Sequence, residues 1–131
     1  MIKKTIILTA LLFTISNNIQ AQAKATAPDL TRADVIKLIA VATKPLNLTG
    51  VNLSKVDLSY LDLHEADLTR ANLTGAKLIK TNLGNALLIG ANLSGANLSE
   101  AYLVQAYLIE ANLSGANLSG ANLTDVKVYT K

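Results

Sequence analysis

The chain has 131 residues with a formal net charge of +3; half of it is hydrophobic, only 16% is charged, and it holds five aromatic residues and no Cys or Trp. That length makes one small domain, whose core must be built from Leu, Ala, Val and Ile instead of aromatic anchors. The composition excludes disulfide frameworks and Cys-ligated metal centres, and the charge balance excludes the strong field of a nucleic-acid binder or of an acidic nucleic-acid mimic.

At the N-terminus, Lys3 and Lys4 precede an apolar run from Thr5 to Ile15, a stretch from Ser16 to Gln20 and the small-x-small triplet Ala21-Gln22-Ala23. This order is that of a secretory signal peptide cleaved after Ala23. The apolar run is eleven residues, too short for the ~20 that cross a bilayer as a helix. Residues 1–23 are therefore set apart as a signal peptide, and no Cys follows to receive a lipid. Ten basic and nine acidic residues remain, so the sequence pI of 9.2 overstates the basic character of the mature chain. A bacterial protein, periplasmic or secreted and without stable membrane insertion, is expected.

Residues 24–45 form a linker and a helix. Thr31-Arg32-Ala33-Asp34 reads as a capping box with Asp in the place of Glu, and the spacing predicts a helix from Arg32 to Thr43, stopped by Pro45. Its apolar residues Val35, Ile36, Leu38, Ile39 and Val41 cover more than a narrow stripe.

Residues 46–130 divide without a gap into seventeen five-residue units, with Leu at the third position of sixteen and Val128 in the last. The first position is Ala in eleven units and otherwise Leu, Val or Thr. On a helix a shift of five residues turns the side chain by about 140°, so the leucines would scatter around the cylinder. On a flat strand an odd period would send successive leucines to opposite faces. What remains is a chain that bends once per unit and returns every Leu to one interior, a β-solenoid. Gly50, Gly75, Gly90, Gly95, Gly115 and Gly120 all fall at the fifth position, where a corner needs permissive backbone.

The units Ala66-Asp67-Leu68, Ala91-Asn92-Leu93 and Ala111-Asn112-Leu113 closely resemble the A-(N/D)-L-x-x pattern of the pentapeptide-repeat family. The resemblance covers residues 46–130 and implies an all-β fold, a right-handed quadrilateral β-helix with twenty residues per coil. The short α-helix before it is expected to cap the first coil, where unpaired strand edges would otherwise lie open. Some exported relatives are expected to carry a Cys pair before the first repeat; here Lys44-Pro45 leads directly into Leu46. The family also includes topoisomerase-protecting DNA mimics, but those depend on acidity and a cytoplasmic location that this sequence lacks.

No catalytic constellation can be assembled from this sequence, and no enzyme activity, cofactor or metal is expected. His64 sits at an outward position beside Glu65 with no Cys or second His to complete a metal site. With four units per coil, Asp57, Asp62 and Asp67 lie on different faces, while Asp57 falls beside Lys77 and Lys80 beside Glu100 as exposed pairs. Asn-x-Ser/Thr triplets at Asn47, Asn52, Asn72, Asn92, Asn97, Asn112, Asn117 and Asn122 are by-products of the repeat, explained by an Asn ladder between coils. Asn52, Asn72, Asn92 and Asn112 with Ser54, Thr74, Ser94 and Ser114 make a polar array that suggests an alternative, a binder of polysaccharide or ice. The informative departures are apolar. Leu87, Ile89, Tyr107, Ile109 and Tyr129 fall on one outer face, with Tyr102 and Val104 on the next, as a candidate interaction patch. The expected partner is another protein or a second copy, engaged through the C-terminal half as a homodimer.

Overall fold

The computed structural model describes residues 28–43 and 45–129, so the expected signal peptide lies outside the described residues. From Leu46 onward one backbone scheme repeats. The third-position N–H donates to the next coil (Leu73 to Asn92 O, 2.7 Å), as does the fifth (Gly75 to Ser94 O, 2.9 Å). The second donates to the preceding coil (Asn92 to Ala71 O, 2.9 Å), and the first closes the turn onto the central leucine (Ala76 to Leu73 O, 3.0 Å). Parallel bridges join second-position residues twenty apart, as in Asn52, Asn72, Asn92 and Asn112. Twenty residues therefore complete a coil of four units, and the chain is a repeat β-solenoid. Each straight segment is so short before the next corner that it pairs as a single bridge. Face 1 carries the column Asn47, Asp67, Leu87, Tyr107, Lys127; face 2 begins at Asn52, face 3 at Asp57 and face 4 at Asp62.

Every corner turns the same way. The fifth residue of each unit from Gly50 to Asp125 has φ between 54° and 70°, and ten of these residues are not glycine. A turn with positive φ at its third residue suits glycine, and an L-residue there costs about 1 kcal/mol. Lys55, Tyr60 and Gln105 are held in that region because ladder bonds on either side leave the chain no alternative path.

The scheme leaves the fourth-position N–H without a backbone acceptor, which explains the Asn or Asp at the second position. In twelve units the side-chain Oδ1 of that residue accepts the N–H two residues on, at 3.0–3.1 Å. The expected Asn ladder holds in part: most of these side chains serve their own turn through Oδ1, while across coils Asn72 Nδ2 donates to Asn52 Oδ1 at 3.1 Å and Asn82 Nδ2 to Asp62 Oδ1 at 2.9 Å. Five units lack the acceptor, and all five have an apolar fourth residue: Lys77-Ile79, Leu87-Ile89, Tyr102-Val104, Tyr107-Ile109 and Lys127-Tyr129. Wherever that acceptor is absent, a β-branched or aromatic side chain stands at the fourth position over the turn. Accordingly, Asn92→Ala alone should cost about 1 kcal/mol in urea unfolding. The paired change Asn92→Leu with Ser94→Ile should recover part of that loss through side-chain packing, and a double variant no better than the single would refute this complementarity.

The interior is a stack of leucines. The twelve from Leu48 to Leu103 are fully buried, and alanines from Ala66 to Ala106 pack between them. Thr81 replaces Ala in this layer without leaving an orphan, since its hydroxyl donates to Leu58 O at 2.9 Å. Burial fades toward the C-terminal end, where Leu123 is 42% and Val128 59% exposed. Among the described residues nothing packs over that last coil.

Ahead of the solenoid lies α1, Arg32–Val41, with the expected capping box: Thr31 accepts from the Asp34 N–H, and Asp34 accepts from the Thr31 N–H at 3.0 Å. The helix ends at Val41, two residues before the expected Thr43: Ala42 has extended backbone, and its N–H makes the last helical bond, to Leu38 O. Val35 and Leu38 enter the core cluster beside the first coil. The preceding segment supplies bonds that a further coil would have made: Asp29 N–H donates to Asn52 O and Asp29 Oδ2 accepts from Asn52 N–H, both at 2.7 Å. Arg32 Nη1 similarly donates to Asp57 O at 2.8 Å.

Candidate interaction face

Face 1 changes character along the rod. Its first coils carry Asn47 and Asp67 with Thr49 and Thr69; from the third coil these become Leu87 and Tyr107 with Ile89, Ile109 and Tyr129. Leu87 bridges Tyr107, and Gly90 N–H donating to Ile109 O brings Ile89 and Ile109 into adjacent coils. Tyr102 and Val104 stand on face 4, in the column Asn82, Tyr102, Asn122. All seven residues singled out in the sequence thus fall on two neighbouring faces. Tyr129, Tyr102 and Tyr107 are 71%, 47% and 36% exposed, while Leu87, Ile89, Val104 and Ile109 are half-buried. The aliphatic side chains cover the turns beneath them, and the tyrosines give the surface its reach. The N–H groups of Ile89 and Ile109 have no acceptor among the described residues.

Electrostatics divide the same face. Burial raises the pKa of Asp67, but the hydroxyl and N–H of Thr69 and the hydroxyl of Thr49 outweigh it and hold the carboxyl below the ordinary range. Lys127 ends the column. On face 3, the Ser59 N–H, donating to Asp57, lowers that carboxyl first, and Arg32 and Lys77 add to the effect. Asp57 and Lys77 are bridged neighbours as expected, but the close ionic contact of Asp57 is with Arg32 at 3.6 Å. That expectation missed α1, which delivers a guanidinium to the first coil. Lys80 and Glu100 pair at 3.2 Å as expected.

His64 is exposed on face 4, with Nε2 3.5 Å from Glu65. Sequence reasoning missed its neighbour, Gly84. A Cβ there would lie 3.0 Å from His64 Nδ1 and 3.3 Å from Tyr102 Cε1, so the glycine makes room for both rings. The signal was legible: Gly84 is the only glycine at a fourth position. Beside it, a shallow groove of about 180 Å³ runs between the end of α1 and the first coil, lined by Ile39, Ala42, Pro45, Leu46, Asp62, Leu63, His64 and Glu65. Among the described residues no cluster of three or more His, Cys, Asp or Glu could hold a metal ion, and no helix is long and apolar enough to cross a membrane. On face 2, the hydroxyls of Thr74 and Ser94 are turned onto Asn72 and Asn92 at 2.7 Å.

The pentapeptide repeats family model, of eight copies, matches residues 47–85 and 86–125, which is more than half of the chain. The chain belongs to the pentapeptide repeat family. It is similar to the crystal structure of HetL, a pentapeptide repeat protein involved in heterocyst differentiation regulation from the cyanobacterium Nostoc sp. strain PCC 7120, at 48% identity and a TM-score of 0.61. That match covers 62% of this chain and 38% of HetL, so the chain spans well under half of HetL's length. Another Nostoc pentapeptide repeat protein matches at 29% identity and a TM-score of 0.40, covering 76% of this chain and 96% of its own. One from the Arabidopsis thaliana thylakoid lumen matches at 27% and 0.39, covering 67% of each chain. No curated protein matches. Pentapeptide repeat proteins are generally structural or interaction modules and not enzymes.

Proposed function

We propose that this pentapeptide repeat protein is a non-enzymatic, exported bacterial interaction module that binds a partner protein or a second copy through its C-terminal half. In this reading residues 1–23 are a signal peptide, residues 24–45 a linker with α1 as the cap of the first coil, and residues 46–130 a right-handed solenoid. The observation that carries it is the change on face 1 from Asn, Asp and Thr to Leu87, Ile89, Tyr107, Ile109 and Tyr129, with Tyr102 and Val104 alongside. On face 1 the apolar side chains occupy the C-terminal half alone, and a contiguous exposed apolar patch is a usual mark of an interface. The polar column of face 2 is a weaker platform for polysaccharide or ice, since Thr74 and Ser94 direct their hydroxyl protons to their own asparagines.

The test is association of the mature chain, recovered from a periplasmic fraction with Lys24 as its first residue, measured by sedimentation. Tyr107→Asp with Ile109→Asp should abolish association and leave the far-UV spectrum intact, because both side chains lie on the outer surface. Association unchanged in that double variant refutes the reading.

A further inference from the structure

The column on face 1 has an order that binding an arbitrary partner does not require. Asp67, Leu87, Tyr107 and Lys127 are each bridged to the next, so an apolar pair is flanked by an anion on the N-terminal side and a cation on the C-terminal side. Two copies can meet face 1 to face 1 in two symmetric ways. With the rods parallel, Asp67 opposes Asp67 and Lys127 opposes Lys127. With the rods antiparallel, about a two-fold axis between Leu87 and Tyr107, Leu87 opposes Tyr107, Ile89 opposes Ile109, and Asp67 opposes Lys127 on both sides of the axis. The charges penalise the first arrangement and favour the second.

Resting on the reading that this half of the rod is an interface, we propose that its occupant is a second copy of this chain, in an antiparallel isologous dimer with Asp67 of each copy against Lys127 of the other. Such an interface is self-complementary and closes at two copies. The corners allow the approach. Glu110 falls opposite Gly90, which carries no side chain, and Asn85 falls opposite Gln105, an uncharged pair of amides. The same axis sets Glu65 opposite Asp125 at the outer edge, a like-charge contact where water and salt screen it.

The test is charge exchange on the full chain, read as a dimer dissociation constant by analytical ultracentrifugation. Asp67→Lys and Lys127→Asp should each weaken the dimer by about tenfold or more, since each sets like charges together twice. Combined in one chain, the two changes should restore the affinity to near the wild-type value. Lysine stands at second positions 77 and 127, where Ile79 and Tyr129 cover the turn, so Asp67→Lys, which strips the acceptor from the Thr69 N–H, is expected to lower stability as well. Should Asp67→Lys fail to fold, Asp67→Asn keeps the side-chain bond to the Thr69 N–H and should still weaken the dimer. Lys127→Asp mixed with Asp67→Lys should form a heterodimer close to the wild-type affinity, because one chain then carries an anion at both positions and the other a cation at both, so each of the two contacts joins opposite charges. A dimer lost in the Tyr107→Asp, Ile109→Asp variant but indifferent to charge exchange overturns this arrangement and leaves the interface reading standing. A dimer that survives both overturns both. A wild-type chain that stays monomeric at its highest soluble concentration overturns the second copy as occupant.

Discussion

Leu93→Ala should lower the stability of the chain by about 2 to 5 kcal/mol in urea unfolding. Leu93 is fully buried in the middle of the stack, between the equally buried Leu73 and Leu113's coil, with Ala91 and Ala96 beside it. The cavity left behind cannot close, because every neighbouring coil is fixed by ladder bonds such as Leu73 to Asn92 O at 2.7 Å and Leu93 to Asn112 O at 2.8 Å. Ser94→Ala, one residue away but on the outer surface, should cost well under half as much, since it opens no cavity and removes only a hydroxyl that bonds Asn92 at 2.7 Å and meets the Thr74 hydroxyl at 3.5 Å. Leu123→Ala, at a central position that is 42% exposed, should also cost less. Equal midpoints for Leu93→Ala and Ser94→Ala would refute the assignment of inside and outside.

Val35→Asp should cost about 3 kcal/mol or more, the penalty of an unpaired charge in a fully buried site. Val35 is wholly inaccessible and belongs to the same apolar cluster as the first leucines. If α1 is what shields the first coil, the charge will undock it and also loosen the contacts around Asn52 that Asp29 makes. Hydrogen exchange separates this from a general loss of stability. Amides of the first coil, such as Leu48 and Leu53, should lose far more protection than Leu73 or Leu78 in the middle coils. An even loss of protection along the whole rod would show that the helix contributes stability without guarding that end.

The period of five determined the solenoid without help from the structure, because no other regular path returns a leucine every fifth residue to one interior. It also located the corners, since glycine gathers at the fifth position and nowhere else apart from Gly84. The apolar departures on face 1 were equally legible, as side chains that break the Asn-x-Ser/Thr rhythm. What the repeat could not express was the destination of its hydrogen bonds. That Asn and Asp first of all fasten the fourth-position N–H of their own turn follows from a backbone scheme that leaves this donor over, and only the folded chain reveals the scheme. The N-terminal segment lies outside the repeat, so its contacts were beyond any argument from period: Arg32 makes the close ionic contact of Asp57, Asp29 bonds to the edge at Asn52, and α1 ends at Val41. Gly84 was visible as an off-register glycine, yet its reason, the rings of His64 and Tyr102 approaching it from the coils on either side, exists only once residues twenty apart in sequence have been stacked.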